Sequence, residues 1–372
     1  MKIICDTNTL SAACQNIQRS VSNKGTIAAL ECILIDTKDN GINITGYDLE
    51  IGSETYISAF VEEKGKIAIN ARHLCDIIRL LPESKVTIEV DEKNMCTIKS
   101  GEAEYSIIGT PAENYPDLPS VSGSESVTVK QSLLKDMIKK TIYAVAIGEA
   151  RPIHTGVKFE INEGKITLIA LDGFRLAIRR ENIEYNGEAL SFVVPSKTLN
   201  EIMKYSDEED GVFSITIGKR HIVFEIGNYR VISRLLDGEF LDYKSAIPAI
   251  CNTSIKVNTR DLIECVERTS LLVSTEKIKT PVRCLIQGNE IKLSNVTSLG
   301  KAKDKCIAEI SGNGLEIGFN ARFMLDALKV CDEEVINIEL NTSATPIIIT
   351  PENKDNFLFL ILPMRLKNEN EI

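Results

Sequence analysis

The chain has 372 residues, more than one ordinary hydrophobic core can serve, and this length predicts two or three domains. With 43% hydrophobic and 26% charged residues its composition is that of a globular protein, and no stretch approaches the roughly 20 apolar residues of a membrane span. A net charge of −10 excludes a uniformly basic nucleic-acid binder but leaves room for a local basic surface.

The opening Met1-Lys-Ile-Ile-Cys-Asp6 lacks the basic region, apolar core and cleavage site of a signal peptide, so a cytoplasmic protein is expected. From Leu10 to Val21 apolar residues recur at three- and four-residue spacing, which predicts an amphipathic helix. Ala29–Ile35 and Gly41–Ile44 then alternate like half-buried strands, joined by the turn Asp39-Asn-Gly41 and followed by Tyr47-Asp48. A second helix is predicted over Ile69–Ile78, and the turn-rich run Thr110–Ser124 closes the unit.

The same series then recurs. Leu134–Val145 repeats the first helix, and Val157–Ile161 with Gly164–Leu168 repeats the strands around Asn162-Glu-Gly164 before Leu171-Asp172. Val194–Met203 repeats the second helix, and Asp237–Pro248 closes the second unit. Leu262–Val273, Glu290–Leu293 and Phe319–Leu328 give a third copy. Ile69, Val194 and Phe319 start segments that align without gaps at a spacing of 125 residues. The reading is therefore three α+β units, residues 1–120, 121–249 and 250–372, each with two helices on antiparallel sheet. Asn70, Ser196 and Asn320 are placed to cap the second helices.

Charge repeats with the fold. On the first of these helices Leu74, Ile77, Ile78 and Leu81 form one apolar stripe, which leaves Arg72, Asp76 and Arg79 on the opposite face. Lys197, Glu201 and Lys204, and then Arg322, Asp326 and Lys329, repeat this pattern. The first helices add Arg19, Lys24, Lys135, Lys139, Lys140 and Arg268. One reading is a solvated face carrying local ion pairs. The other is a basic surface for phosphates, gathered if the units form an arc, which would position nucleic acid without reading its sequence.

Catalytic signatures are missing. His73, His154 and His221 stand in no catalytic spacing, and the sequence has no phosphate-binding loop, dinucleotide fingerprint or nucleophile elbow. Asp48 and Asp172 occupy equivalent positions and read as turn residues; Arg175 beside Asp172 could hold an anion but reads first as part of that turn. Ten cysteines lie at least nine residues apart, without a metal-binding or redox pair, and are expected to be reduced core residues. No cofactor and no metal are expected.

Several segments resemble the bacterial DNA polymerase III β subunit, the β sliding clamp family. Ala170–Leu176 is similar to the family's A-T-D-G-H-R-L, Tyr47–Ile51 to its T-D-L-E-I, and Asn114–Pro119 to its first interdomain segment. Phe319–Leu328 resembles its third-domain helix start, and Leu362-Pro-Met-Arg-Leu366 its terminal M-P-M-R-L. The resemblance runs from end to end in the family's order. It implies three clamp domains per chain and a head-to-tail homodimeric ring whose helices line a pore. Its function would be a non-enzymatic processivity factor around double-stranded DNA, bound without sequence preference.

Implied partners are the DNA polymerase III α subunit, the clamp loader and other proteins with a clamp-binding peptide motif; no membrane is implied. By matched position the peptide pocket would comprise His154, Leu171, Gly173, Phe174, Arg175, Leu176, Leu241, Ala246, Ile278, Asn320, Phe323, Ala344, Leu360, Leu362, Pro363, Met364 and Arg365. The pore set would be Lys24, Arg72, Arg79, Lys135, Lys139, Arg151, Lys197, Lys204, Arg268, Arg322 and Lys329, and the dimer contact Tyr105 and Ile107 against Leu272 and Val273. The family often has His at Phe174, Thr at Leu171 and Pro at Leu241, and a basic residue at Ser245. Such departures leave a second reading open, a paralogue or repeat scaffold that binds peptides without loading on DNA. A dispersed enzyme site is the third.

Overall fold

The computed structural model describes residues 1–22, 27–121, 125–148, 151–205, 211–272, 280–353 and 355–366. Among the described residues six α-helices follow the predicted places: α1 Thr7–Ile17, α2 Ala71–Arg79, α3 Gln131–Ile142, α4 Ser196–Tyr205, α5 Thr259–Ser270 and α6 Ala321–Leu328. None is long and apolar enough to cross a membrane. Asp6, Asn70, Asn258 and Asn320 cap α1, α2, α5 and α6 by accepting a hydrogen bond from a first-turn amide. Ser196 does not precede its helix as the sequence reading had it. It is the first helical residue, and Pro195 holds the position that Asn70 and Asn320 hold elsewhere.

The chain forms two compact units, Met1–Leu133 with Lys197–Leu235, and Leu134–Ser196 with Leu236–Ile372. The first unit contains a five-stranded sheet, ordered Phe60–Glu63, Lys2–Asp6, Lys85–Val90, Met95–Ser100, Ala103–Ile108. It also contains an eight-stranded one, in which Cys32–Lys38, Gly41–Tyr47 and Ile51–Ser58 lie side by side. Ile3, Val86, Ile88 and Ile98 from one sheet meet Ile33, Ile35, Ile42, Ile44, Ile67 and Ile69 from the other. Leu10 and Ile17 of α1 and Leu74 and Ile78 of α2 complete this core. The stripe predicted on α2 is thus buried through Leu74 and Ile78, with Ile77 and Leu81 at its margin. Each fully buried aliphatic side chain contributes about 1.5–3 kcal/mol.

The second unit is built on one twelve-stranded sheet that runs from Leu190–Pro195 at one edge to Leu315–Phe319 at the other. In both units the sheet continues from one repeat into the next. Ile51–Ser58 pairs antiparallel with Tyr229–Arg234, and Arg175–Asn182 with Phe357–Ile361. The edge strand before each second helix is also strapped by the chain leaving that repeat: Thr110 bridges Ala68, Leu236 bridges Val193, and Met364 bridges Gly318. At Gly318 the fit is tight, since a Cβ there would lie 2.6 Å from the Met364 carbonyl.

All ten cysteines are free, and eight are buried. Burial pushes the Cys75 and Cys96 thiols up to about 12.

A methyl at Gly318 must displace the terminal strap. Gly318→Ala should speed hydrogen exchange of the Met364 amide, which donates to the Gly318 carbonyl, by roughly tenfold or more with the rest of the sheet still protected. Unchanged exchange would contradict the strap.

Candidate functional sites

The described residues of the predicted pocket belong to the second unit, where Arg175 carries a buried guanidinium. Leu171 ends a strand and Arg175 begins the next. Between them the Asp172 carboxylate accepts the Phe174 and Arg175 amides at 2.9 and 3.1 Å, while Gly173 takes φ +88°. Asp48 does the same in the first unit, accepting from Glu50 and Ile51, but there Leu49 occupies the left-handed position at φ +76°. Both aspartates are turn residues, as their equivalent positions suggested.

Arg175 is 6% exposed. Its Nε donates to Asp172 Oδ2 at 2.9 Å and its Nη1 to Asp326 Oδ2 at 2.5 Å. Its Cζ lies 4.5 Å from the Phe323 ring centre and 5.5 Å from that of Tyr143. The guanidinium is already neutralised by two carboxylates, so its main effect is to fix α6 and the aromatic rings beside it. Phe174, 61% exposed, stacks over Phe323 at 6.3 Å, and the Leu362 amide donates to the Phe174 carbonyl. An exposed aromatic held over a second one is a surface ready to take an apolar side chain.

Beneath lies an apolar floor of Leu171, Leu176 and Leu360 with Ile169, Ile178 and Tyr243, flanked by Phe240. Leu171, Leu176 and Leu360 are therefore buried floor, whereas Leu241, Ala246 and Leu362 reach the surface. His154 is buried with its ring edge on Phe240 at 5.0 Å, and its Nδ1 has no hydrogen-bond partner among the described residues. Burial, then the charge of Arg151, holds its pKa below that of an ordinary histidine. Asn320 caps α6. Ala344, Pro363, Met364 and Arg365 line an adjoining groove of about 550 Å³ together with Glu316 and Gly318. Ile278 lies outside the described residues.

Sequence reasoning missed Tyr143, Phe240 and Asp326 at this site. Asp326 had been read only as part of a charged helix face; nothing in the sequence says that it reaches Arg175, 151 positions away.

The basic helix faces carry counter-ions. In the first unit Arg72 is exposed, Arg79 meets Asp76 at 3.3 Å, Lys197 meets Asp48 at 2.5 Å and Lys204 meets Glu201 at 2.8 Å. In the second, Arg268 meets Asp304 at 2.6 Å, Lys329 meets Glu267 at 2.6 Å and Arg322 approaches Asp326 at 3.9 Å. Lys139 and Arg151 are exposed and Lys135 is half-buried. Lys140 departs from its expected place on a basic surface. It is buried between Asp136 at 2.9 Å and Asp332 at 2.8 Å, and so serves the fold. Lys24 lies outside the described residues. Exposed pairs of this kind contribute about 0–1 kcal/mol, so a phosphate can replace the carboxylate at little cost.

Of the predicted contact residues, Tyr105 and Ile107 sit on an edge strand. Tyr105 is exposed on Ala103–Ile108, the last strand of its sheet; Ile107 is half-buried against the first core, and Ile108 beside it is exposed. Leu272 follows α5, with Cδ1 3.7 Å from where a Cβ on Gly300 would stand. Val273 lies outside the described residues. Among the described residues no group of His, Cys, Asp and Glu could hold a metal ion.

Three family models match in order along the chain: the N-terminal domain of the DNA polymerase III β subunit over residues 1–119, the central domain over 128–242 and the C-terminal domain over 244–365. The β sliding clamp of Bacillus subtilis is 32% identical, the alignment covering 98% of this chain and all of that one. That of Halalkalibacterium halodurans is 32% identical, with the same shares. The crystal structure of a DNA polymerase III β subunit from Eubacterium rectale superposes with a TM-score of 0.95 at 34% identity, over 98% of this chain and all of that one. The Bacillus subtilis clamp structure gives 0.96 at 32% identity, over 99% and 100%.

Two outcomes are expected. Arg175→Ala removes the buried cation that Asp172 and Asp326 share and should lower the unfolding free energy by about 3 kcal/mol in urea titrations. Unfolded His154 takes up a proton near pH 6.5, the folded one only at lower pH, so stability falls as pH drops through that window. His154→Leu should therefore lose less thermal stability than the parent between about pH 7 and pH 5. Parallel losses would contradict the buried neutral imidazole.

Proposed function

Because this chain belongs to the family of bacterial DNA polymerase III β subunits, the β sliding clamps, we propose a role for each of the surfaces described above. The chain is a DNA sliding clamp, a non-catalytic factor that confers processivity on the polymerase. Its three repeats are clamp domains, with proposed limits 1–120, 121–249 and 250–372. Two copies would join head to tail, Tyr105 and Ile107 of one against Leu272 and Val273 of the other. The ring would enclose duplex DNA in the cytoplasm.

Confinement would keep the clamp on DNA, so its phosphate contacts can stay weak. Arg72, Arg79, Lys135, Lys139, Arg151, Lys197, Lys204, Arg268, Arg322 and Lys329, with Lys24, are proposed to face that DNA. The exposed ion pairs that several of them make suit sliding, since each phosphate is taken up and given back at small cost. The groove around Phe174, Phe323 and Met364 is proposed to take the short peptide motif of the polymerase α subunit, the clamp loader and other clamp-binding proteins. Tethering through such a peptide raises the effective concentration of the polymerase at its template. The observation that carries this reading is the convergence of residues 171–176, 240–246, 320–323 and 360–365 on one aromatic, partly exposed surface.

A loaded ring should stay on covalently closed circular DNA through a high-salt wash and leave once the circle is cut. Equal loss from circle and linear DNA would favour the peptide-binding scaffold. Changing Lys197, Lys204, Arg322 and Lys329 together to Glu should reduce polymerase stimulation roughly tenfold or more without unfolding the chain; full stimulation would remove these residues from the DNA path. Phe174→Ala should weaken a labelled clamp-binding peptide about tenfold in fluorescence anisotropy and leave the dimer intact. Unaltered affinity would reject the pocket.

A further inference from the structure

The last described residues lead onto one face of a sheet. Leu366 lies against Gly318, its Cδ2 2.7 Å from where a Cβ on that glycine would stand. On the next strand Gly318 faces Arg283, which faces Ser294, which faces Lys303. The neighbouring row runs Glu316, Leu285, Lys292, Lys305. Residues directly opposite one another share a face, so both rows lie on the side that Leu366 covers. The residues between them point the other way: Cys284, Leu293 and Cys306 are buried, and Asp304 meets Arg268 of α5.

This face has more cations than acids. Lys292 stands directly across from Lys305, and like charges placed this way destabilise a sheet unless acids come beside them. One carboxylate serves both: Glu290 lies 2.5 Å from Lys305 and 3.6 Å from Lys292. Lys303 is exposed and makes no ion pair with a described residue. A groove of about 550 Å³ runs over the two rows, lined by Arg283, Lys292, Lys303, Lys305 and Glu316 and by no aromatic ring. Without rings there is no platform for stacked bases, so the face is not built for single-stranded nucleic acid. A short acidic peptide matches it better.

The chain carries such a peptide directly after Leu366: Lys367-Asn-Glu-Asn-Glu371, which lies outside the described residues. In an extended run Lys367, Glu369 and Glu371 share one side. Their signs, positive and then twice negative, are the reverse of Glu316, Lys292 and Lys305 taken in row order. The lengths agree as well. Four extended residues span about 13–14 Å, and the three strand spacings from Glu316 to Lys305 come to about 14 Å. From this order of charge and this reach we infer that residues 367–371 dock across the face of their own chain. Lys367 lies by Glu316, Glu369 by Lys292 and Glu371 by Lys305, with Lys303 beside the last. The strap before them is then anchored at both ends, since the Leu362 amide already donates to the Phe174 carbonyl. Anchoring keeps Met364 and Arg365 set along the groove they line, and a groove set in advance binds at lower entropic cost. This last consequence rests on the peptide-binding role proposed above.

The test uses the full-length chain with a dye on Ile372→Cys. Its anisotropy should be high at low salt and fall at high salt to that of a dye on the free tail peptide. Glu369→Lys with Glu371→Lys should release the tail already at low salt. The same variant should speed hydrogen exchange of the Met364 amide about threefold or more and weaken a labelled clamp-binding peptide about threefold. Lys292→Glu with Lys305→Glu should do the same, and all four changes together should restore the three readings. Free-peptide anisotropy in the parent at low salt, or no rescue by the combined reversal, would overturn the docking. Glu371→Cys with Lys305→Cys should close within one chain on mild oxidation; a link formed only between chains would give the face to a second copy and overturn the intrachain docking. Docking with unaltered peptide affinity would overturn the hold on the groove alone.

Discussion

An unpaired strand edge governs this molecule. A β-strand at the margin of a sheet presents backbone donors and acceptors that must find partners or stay in water. Each repeat presents one such edge through its fourth strand and a complementary one through its last. Ile51–Ser58 and Arg175–Asn182 are satisfied inside the chain, by Tyr229–Arg234 and Phe357–Ile361. Because those pairings are continuous sheet, adjacent repeats share structure and do not merely touch. This is why the compact units cut through the second repeat and fail to respect the sequence period.

Charge is used in two different ways on this framework. Arg175, Arg179 and Lys140 are buried with carboxylates: Arg179 meets Asp136 at 2.8 Å and Glu181 at 2.6 Å, and Lys140 shares that same Asp136. Removing one member of such a group strands another charge out of water, so these residues hold their elements in place. The described cations among those proposed for DNA are exposed or only half-buried, and where a printed ion pair holds them the partner is a nearby carboxylate. They belong to the weak, exchangeable class, which is what lateral movement along a polyanion requires.

The sequence disclosed whatever depends on local periodicity. Six helices, the asparagine caps at Asn70 and Asn320 and the paired turns at Asp48 and Asp172 all follow from spacing within a dozen residues. The strand pairings that join repeats did not, because a strand carries no mark of its distant partner. Lys140 was misplaced for a related reason: a lysine reads as exposed until a distant Asp332 is known to lie beside it. At the pocket the residues near the two short motifs were legible through resemblance. Phe240 and Asp326, whose contribution depends on packing between distant segments, were not.

The buried thiols bear on how the molecule can be handled. Free cysteines react as thiolates, and here burial both shields the sulfur and keeps its proton on, as at Cys75 and Cys96. A single cysteine engineered on the surface would outpace the native ones with a maleimide dye. Fluorophores for single-molecule tracking could thus be attached without first stripping eight thiols from the interior; only Cys251 and Cys331 are partly exposed.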